Sequence, residues 1–90
     1  MKALTHVIHD KEGKEFYINL QDGQRAYIRY RIQDGEQVDF YTTFVPDTHR
    51  GRGVAGVLVD SAFNWAEQQQ MKIKTSCWYA EKKMAQRKQQ

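Results

Sequence analysis

Four consecutive residues, Arg50, Gly51, Arg52 and Gly53, place two fixed cations among glycines, where an alternating stretch closed by Pro46 gives way to an apolar series at helical spacing. Backbone N–H groups left unpaired at the start of a helix, together with its positive end, would meet the two guanidiniums there. A phosphate or pyrophosphate is the ligand such a turn would hold. Cys77 is the sole cysteine, so no internal disulfide can form. Its thiol could act as a nucleophile, as an acid toward a departing thiolate, or as a small packing group. His49 could contact a phosphate, cap the turn or sit in a solvated loop. The three histidines, His6, His9 and His49, do not form a ligand set, and no metal is expected.

The elements that must position these groups follow from periodicity. Leu4 to Ile8 suits a short edge strand. Glu15 to Leu20 alternates, with Phe16, Ile18 and Leu20 on one face, and Asp22-Gly23 reverses the chain. Ala26, Ile28, Tyr30 and Ile32 alternate with Tyr27, Arg29 and Arg31, and Asp34-Gly35 supplies a second reversal. The arginine face should meet water. Gln37 to Val45 reads as a further strand, Val38, Phe40, Thr42 and Phe44 against Asp39, Tyr41, Thr43 and Val45. Beyond the basic turn, Val54, Val57, Leu58, Ser61, Ala62 and Trp65 give one buried stripe of a helix running to Gln69. Met71 to Ser76 alternates again, and a helical crossover would lay it parallel to the Gln37–Val45 strand. Trp78 to about Arg87 suits a short helix that frays toward residue 88. Phe40, Phe44, Phe63 and Trp65 are expected in the core.

Ninety residues with 40% hydrophobic and 28% charged side chains describe one small globular domain, 1–90, with little room for a second. No apolar run approaches twenty residues and no signal-like layout opens the chain, so the cytoplasm is the expected location. The net charge of +3 is uneven: residues 1 to 69 carry eight Lys/Arg against ten Asp/Glu, residues 70 to 90 six against one. The basic tail reads as solvated helix surface, with nucleic-acid contact the lesser reading.

Two phosphate-loop signatures are poorly matched. There is no G-x-x-x-x-G-K-[ST], and Gly51-x-Gly53-x-x-Gly56 follows antiparallel hairpins instead of opening a parallel dinucleotide fold. Arg50-x-x-Gly53-x-Ala55 instead resembles the [QR]-x-x-G-x-[GA] signature of the GNAT superfamily of N-acetyltransferases. The wider run from Thr43 through His49 to Ala55, with Cys77-Trp-Tyr79 downstream, is similar to the minimal branch of that superfamily. The resemblance covers residues 15 to 80. It implies an α+β fold: a GNAT-like mixed sheet, an antiparallel meander followed by a strand–helix–strand unit with splayed parallel strands, and a short C-terminal helix.

By position, the resemblance implies that the amides from Arg50 through Gly51, Arg52, Gly53 and Val54 to Ala55 bind the pyrophosphate of acetyl-coenzyme A. Backbone groups of Phe44 and Val45 would pair with the pantetheine arm. Cys77 would lie near the thioester, and Tyr79 carries the phenol that many relatives use as general acid. Thr42 stands where minimal members often have histidine, and Trp78 where a small residue is common; both bear on the acceptor pocket. The function implied is acetyl-CoA-dependent transfer to a primary amine, on a small molecule or a protein, with a homodimer as one way to complete the cleft. The alternatives are a non-catalytic acyl-CoA-binding module and a basic nucleic-acid-binding protein.

Overall fold

Two tight reversals build the first half of the sheet. The computed structural model describes residues 6–76 and Lys82. Strands β1 (Ile8–Asp10), β2 (Glu15–Asn19), β3 (Arg25–Gln33) and β4 (Gln37–Phe44) form an antiparallel meander. At the β3–β4 turn Asp34 and Gly35 both take positive φ, 56° and 71°, and the Glu36 N–H donates to the Gln33 carbonyl, the geometry that matches the natural twist of paired strands. The first strand falls at Ile8–Asp10, later than the Leu4–Ile8 expectation, whose opening residues lie outside the described ones.

A crossover helix, α1 (Val54–Gln68), then returns the chain to β5 (Lys72–Thr75), which pairs parallel with β4, so the sheet order is β1-β2-β3-β4-β5. The helix ends where Gln70 adopts a left-handed φ of 60° while its N–H donates to the Glu67 carbonyl and that of Met71 to the Ala66 carbonyl. That is a Schellman closure built on glutamine in place of glycine.

One face of the sheet packs on α1. Phe16, Ile18, Ala26, Ile28, Tyr30, Val38 and Phe40 are buried against Leu58, Val59, Ala62, Phe63 and Ala66. The helix therefore turns a broader face inward than the expected stripe: Val59, Phe63 and Ala66 are buried, while Val54, Val57 and Trp65 flank the core half-buried. Fully burying a large apolar side chain contributes on the order of 1.5–3 kcal/mol, so this interface dominates the stability of the unit.

The opposite face is polar and aromatic. Arg25, Arg29 and Arg31 lie over the rings of Tyr17, Tyr27 and Tyr41 at 4.0, 4.2 and 4.4 Å. Glu15, 8% exposed, pairs with Arg25 and Arg29 at 3.2 and 3.1 Å. The arginine face is exposed, as expected, and each guanidinium in addition stacks on a ring.

A β-bulge interrupts β4. Arg29 pairs with Thr42 and Tyr30 with Phe40, which leaves Tyr41 as the extra residue. The alternation consequently reverses: Phe40 is fully buried, Phe44 is 41% exposed against the Tyr27 ring, and Val45 packs on the core. The expectation that Phe44 belongs to the core is overturned by this one-residue slip.

Candidate functional site

The bulge directly follows the last described pair of the parallel strands. Among the described residues, pairing between β4 and β5 joins Gln37–Phe40 to Lys72–Thr75, extended by the Ser76 N–H to the Phe40 carbonyl at 3.1 Å. Strand β4 continues to Phe44, past the last β5 pair. Phe40 is thus where the fork implied by splayed parallel strands would begin, and from there the β4 arm leads to the basic turn.

That turn is shaped by backbone. Pro46 opens a 3-10 turn at Asp47–His49, after which Gly51 and Gly53 take left-handed φ of 80° and 79°. A Cβ at either glycine would meet no atom within 4 Å, so the requirement is conformational and not one of crowding. Gly53 is the N-cap of α1; no side chain caps the helix, and no acidic residue stands in its first turn. Its leading N–H groups and the positive end of its dipole accordingly face outward.

A cavity of about 500 Å³ lies between the β4 arm and this helix start. Phe44, Val45, Arg50, Gly51, Gly53, Val54 and Ala55 line it together with Thr43 and His49. Of the residues that the sequence points to for cofactor contact, only Arg52 is absent from this wall. Arg52 instead borders a second cavity of about 230 Å³, with Ile18, Leu20, Val57 and His49. The two arginines thus border different, adjoining cavities beside the turn.

Arg50 is held from two directions. Its Nε donates to the Val45 carbonyl at 3.1 Å, and its guanidinium pairs with Asp47 at 2.8 Å. Strand end and turn are thereby tied together, and the Val45 carbonyl has already accepted one hydrogen bond. His49 is held across the chain: its ring Nε2 lies 3.0 Å from Asp22 Oδ2, and Gln24 bridges Asp22 to Thr48, its amide donating at 2.7 and 3.2 Å. Hydrogen bonds from Gln24 and then His49 hold the Asp22 carboxyl well below its ordinary range, at about 2. The β2–β3 hairpin is thus part of the site's scaffold, a link that residue spacing could not disclose.

One carboxylate at the fork was also not singled out by the sequence. Asp39, 3% exposed, receives Ser76 Oγ–H at 3.0 Å from both carboxylate oxygens, with Arg31 at 3.7 Å. It lies one residue before the last β4–β5 pair. An aspartate in mid-strand is disfavoured, which was the available signal. Cys77 and Tyr79 lie outside the described residues; Ser76, which precedes them, is at the fork. Among the described residues no group of three or more His, Cys, Asp or Glu could hold a metal ion, and no helix is long and apolar enough to cross a membrane.

A family model described as GCN5-related N-acetyl-transferase matches residues 15–90. The chain is 34% identical over 77 residues to Protein NATD1 of Mus musculus, covering 84% of this chain and 70% of that one. The corresponding protein of Homo sapiens is also 34% identical, with 84% and 68% covered. In structure, the chain is similar to the NMR solution structure of a GCN5-like protein from Staphylococcus aureus, with a TM-score of 0.73, 26% identity and coverage of 97% of this chain and 83% of the other.

Proposed function

Because this chain belongs to the GCN5-related N-acetyltransferase family, we propose that it transfers an acetyl group from acetyl-coenzyme A to a primary amine. The observation that carries this reading is the one cavity that the end of the β4 arm, Thr43 to Val45, shares with the glycine turn and its open helix N-terminus. From Phe40 to Val45 the arm spans five residue steps, about 16 Å. An extended pantetheine arm suits that length, so a pyrophosphate at Arg50–Ala55 would bring the thioester to the fork.

The chemistry asks for a deprotonated amine held against the thioester carbonyl, a donor for the oxyanion and a proton for the departing thiolate. A backbone N–H of β4 beside the bulge is the oxyanion donor in this reading, while those of Phe44 and Val45 pair with the pantetheine arm. Asp39, the buried carboxylate at the fork, receives the amine's proton, directly or through one water. Cys77 and Tyr79 are the candidates for returning a proton to the thiolate, and Cys77 is also the candidate for a covalent acetyl relay. The acceptor is a cation before reaction, and a buried carboxylate suits its capture.

Thermal unfolding with added coenzyme A tests the first half: binding at one hundred times Kd stabilises by about 2.7 kcal/mol, which raises Tm by several degrees. Release of free thiol from acetyl-coenzyme A over a panel of amines tests the second. A Tm that coenzyme A leaves unmoved would refute the site, and a shift without turnover on any amine would leave an acyl-CoA-binding module.

A further inference from the structure

Histidine 49 walls both cavities beside the glycine turn, and its side chain is 17% exposed. Its Nε2 faces a carboxylate oxygen of Asp22. A carboxylate only accepts, so Nε2 must carry the hydrogen. In the neutral ring Nδ1 then has only a lone pair to offer, which repels a phosphate oxygen. The imidazolium has an N–H at both positions and can span Asp22 on one side and an anion on the other.

We infer that His49 contacts the cofactor's diphosphate as an imidazolium, its ring oriented by Asp22, so that coenzyme A binding takes up a proton from solvent onto Nδ1. The inference rests on the coenzyme A reading of the turn. No covalent bond changes; the proton added at Nδ1 is returned when the cofactor leaves. Charged groups surround the ring on each side: Asp22 from the β2–β3 turn, Arg50 with its partner Asp47 from the 3-10 turn, and Arg52 at the rim of the smaller cavity. Apart from Asp22, no described residue bonds to the ring, so the second nitrogen remains for a ligand. Gln24 fixes Asp22 through its backbone N–H and side-chain amide, and Asp22 thereby acts as a positioning residue.

The test uses dephospho-coenzyme A as probe, because the terminal phosphate monoester of coenzyme A itself titrates near pH 6. Calorimetric titration across the imidazole range in two buffers of different ionisation enthalpy should give a net proton uptake that peaks at about half a proton per site, the most that a tenfold pH-dependent change in affinity allows. Affinity should fall about tenfold as pH rises through the imidazole range, the strength of one charge-assisted hydrogen bond. His49→Gln should abolish both effects. Asp22→Asn can donate its amide to Nε2 and so place the hydrogen on Nδ1 of the neutral ring; binding should persist while its pH dependence disappears, and Asp22→Glu should restore it. A purely structural tie would instead weaken binding equally at every pH. Zero proton uptake by the parent protein, or uptake that survives His49→Gln, overturns the inference and leaves the coenzyme A reading standing. Failure of both coenzyme A and its dephospho form to bind at any pH overturns the two together.

Discussion

Replacing Gly53 by alanine isolates what the left-handed turn contributes. The residue sits at φ 79°, ψ 6°, and an added methyl would touch nothing within 4 Å beyond its chain neighbours, so no clash with the surroundings enters. Left-handed backbone costs an L-residue about 1–2 kcal/mol relative to glycine. Alanine also removes freedom from the unfolded chain, which offsets about 0.4–1 kcal/mol. The expected net loss is about 1 kcal/mol, a fall in Tm of roughly 4–8 °C for a chain of this size. Asparagine tolerates this backbone region, so Gly53→Asn should recover much of the loss. Thermal unfolding followed by circular dichroism gives the stability, and coenzyme A titration of the folded variants gives the function. If alanine relaxes the turn toward negative φ, its amides reorient and affinity falls by more than the stability change alone explains. An alanine variant with unchanged Tm and unchanged coenzyme A affinity would refute the reasoning that this turn must be left-handed to bind.

Asp39→Asn should lower acetyl transfer by at least tenfold with coenzyme A affinity nearly unchanged, and Cys77→Ala should do the same if the thiol takes part; steady-state turnover beside calorimetric binding separates these from loss of the site. Burial, and secondarily Lys11, lowers the pKa of His9, whose ring stacks on Phe16 at 4.0 Å and shares a 2.6 Å hydrogen bond with the Tyr30 hydroxyl. Because the unfolded chain binds this proton more readily, stability should decline as pH falls through the ordinary histidine range, and urea unfolding of His9→Gln should show a flatter profile there. Burial raises the Tyr30 pKa, which predicts a matching decline above pH about 10, where the unfolded phenol ionises first.

Much of the fold is legible in the residues because its signals are local. Asp34-Gly35 dictates its turn through two positive φ angles, and the apolar series of α1 can bury itself only against a sheet face. The parallel order of β4 and β5 follows from the crossover. What local patterns miss is long-range. The Tyr41 bulge leaves Thr42-Thr43-Phe44-Val45 compatible with either phase of alternation, and only pairing to Arg29 and Tyr30 selects the one that exposes Phe44. Asp39 reads as a solvent-facing strand residue until Ser76, brought beside it by β5, buries and bonds it. The Asp22–His49 tie joins two turns that have no shared periodicity. In the cofactor turn, by contrast, glycines and arginines at fixed offsets carry their meaning in sequence, although the division of Arg50 and Arg52 between two cavities does not.

The fork at Phe40 also has a kinetic side. Strands β1 to β4 are joined by short reversals and can close early, whereas β5 reaches its four-residue ladder only after α1 has crossed the sheet. The seam between them is therefore the segment expected to open first when the native state fluctuates. A ligand lying along β4 where that seam ends would act as a brace, and amide exchange in Lys72–Thr75 should slow more on its binding than exchange in the β2–β3 hairpin.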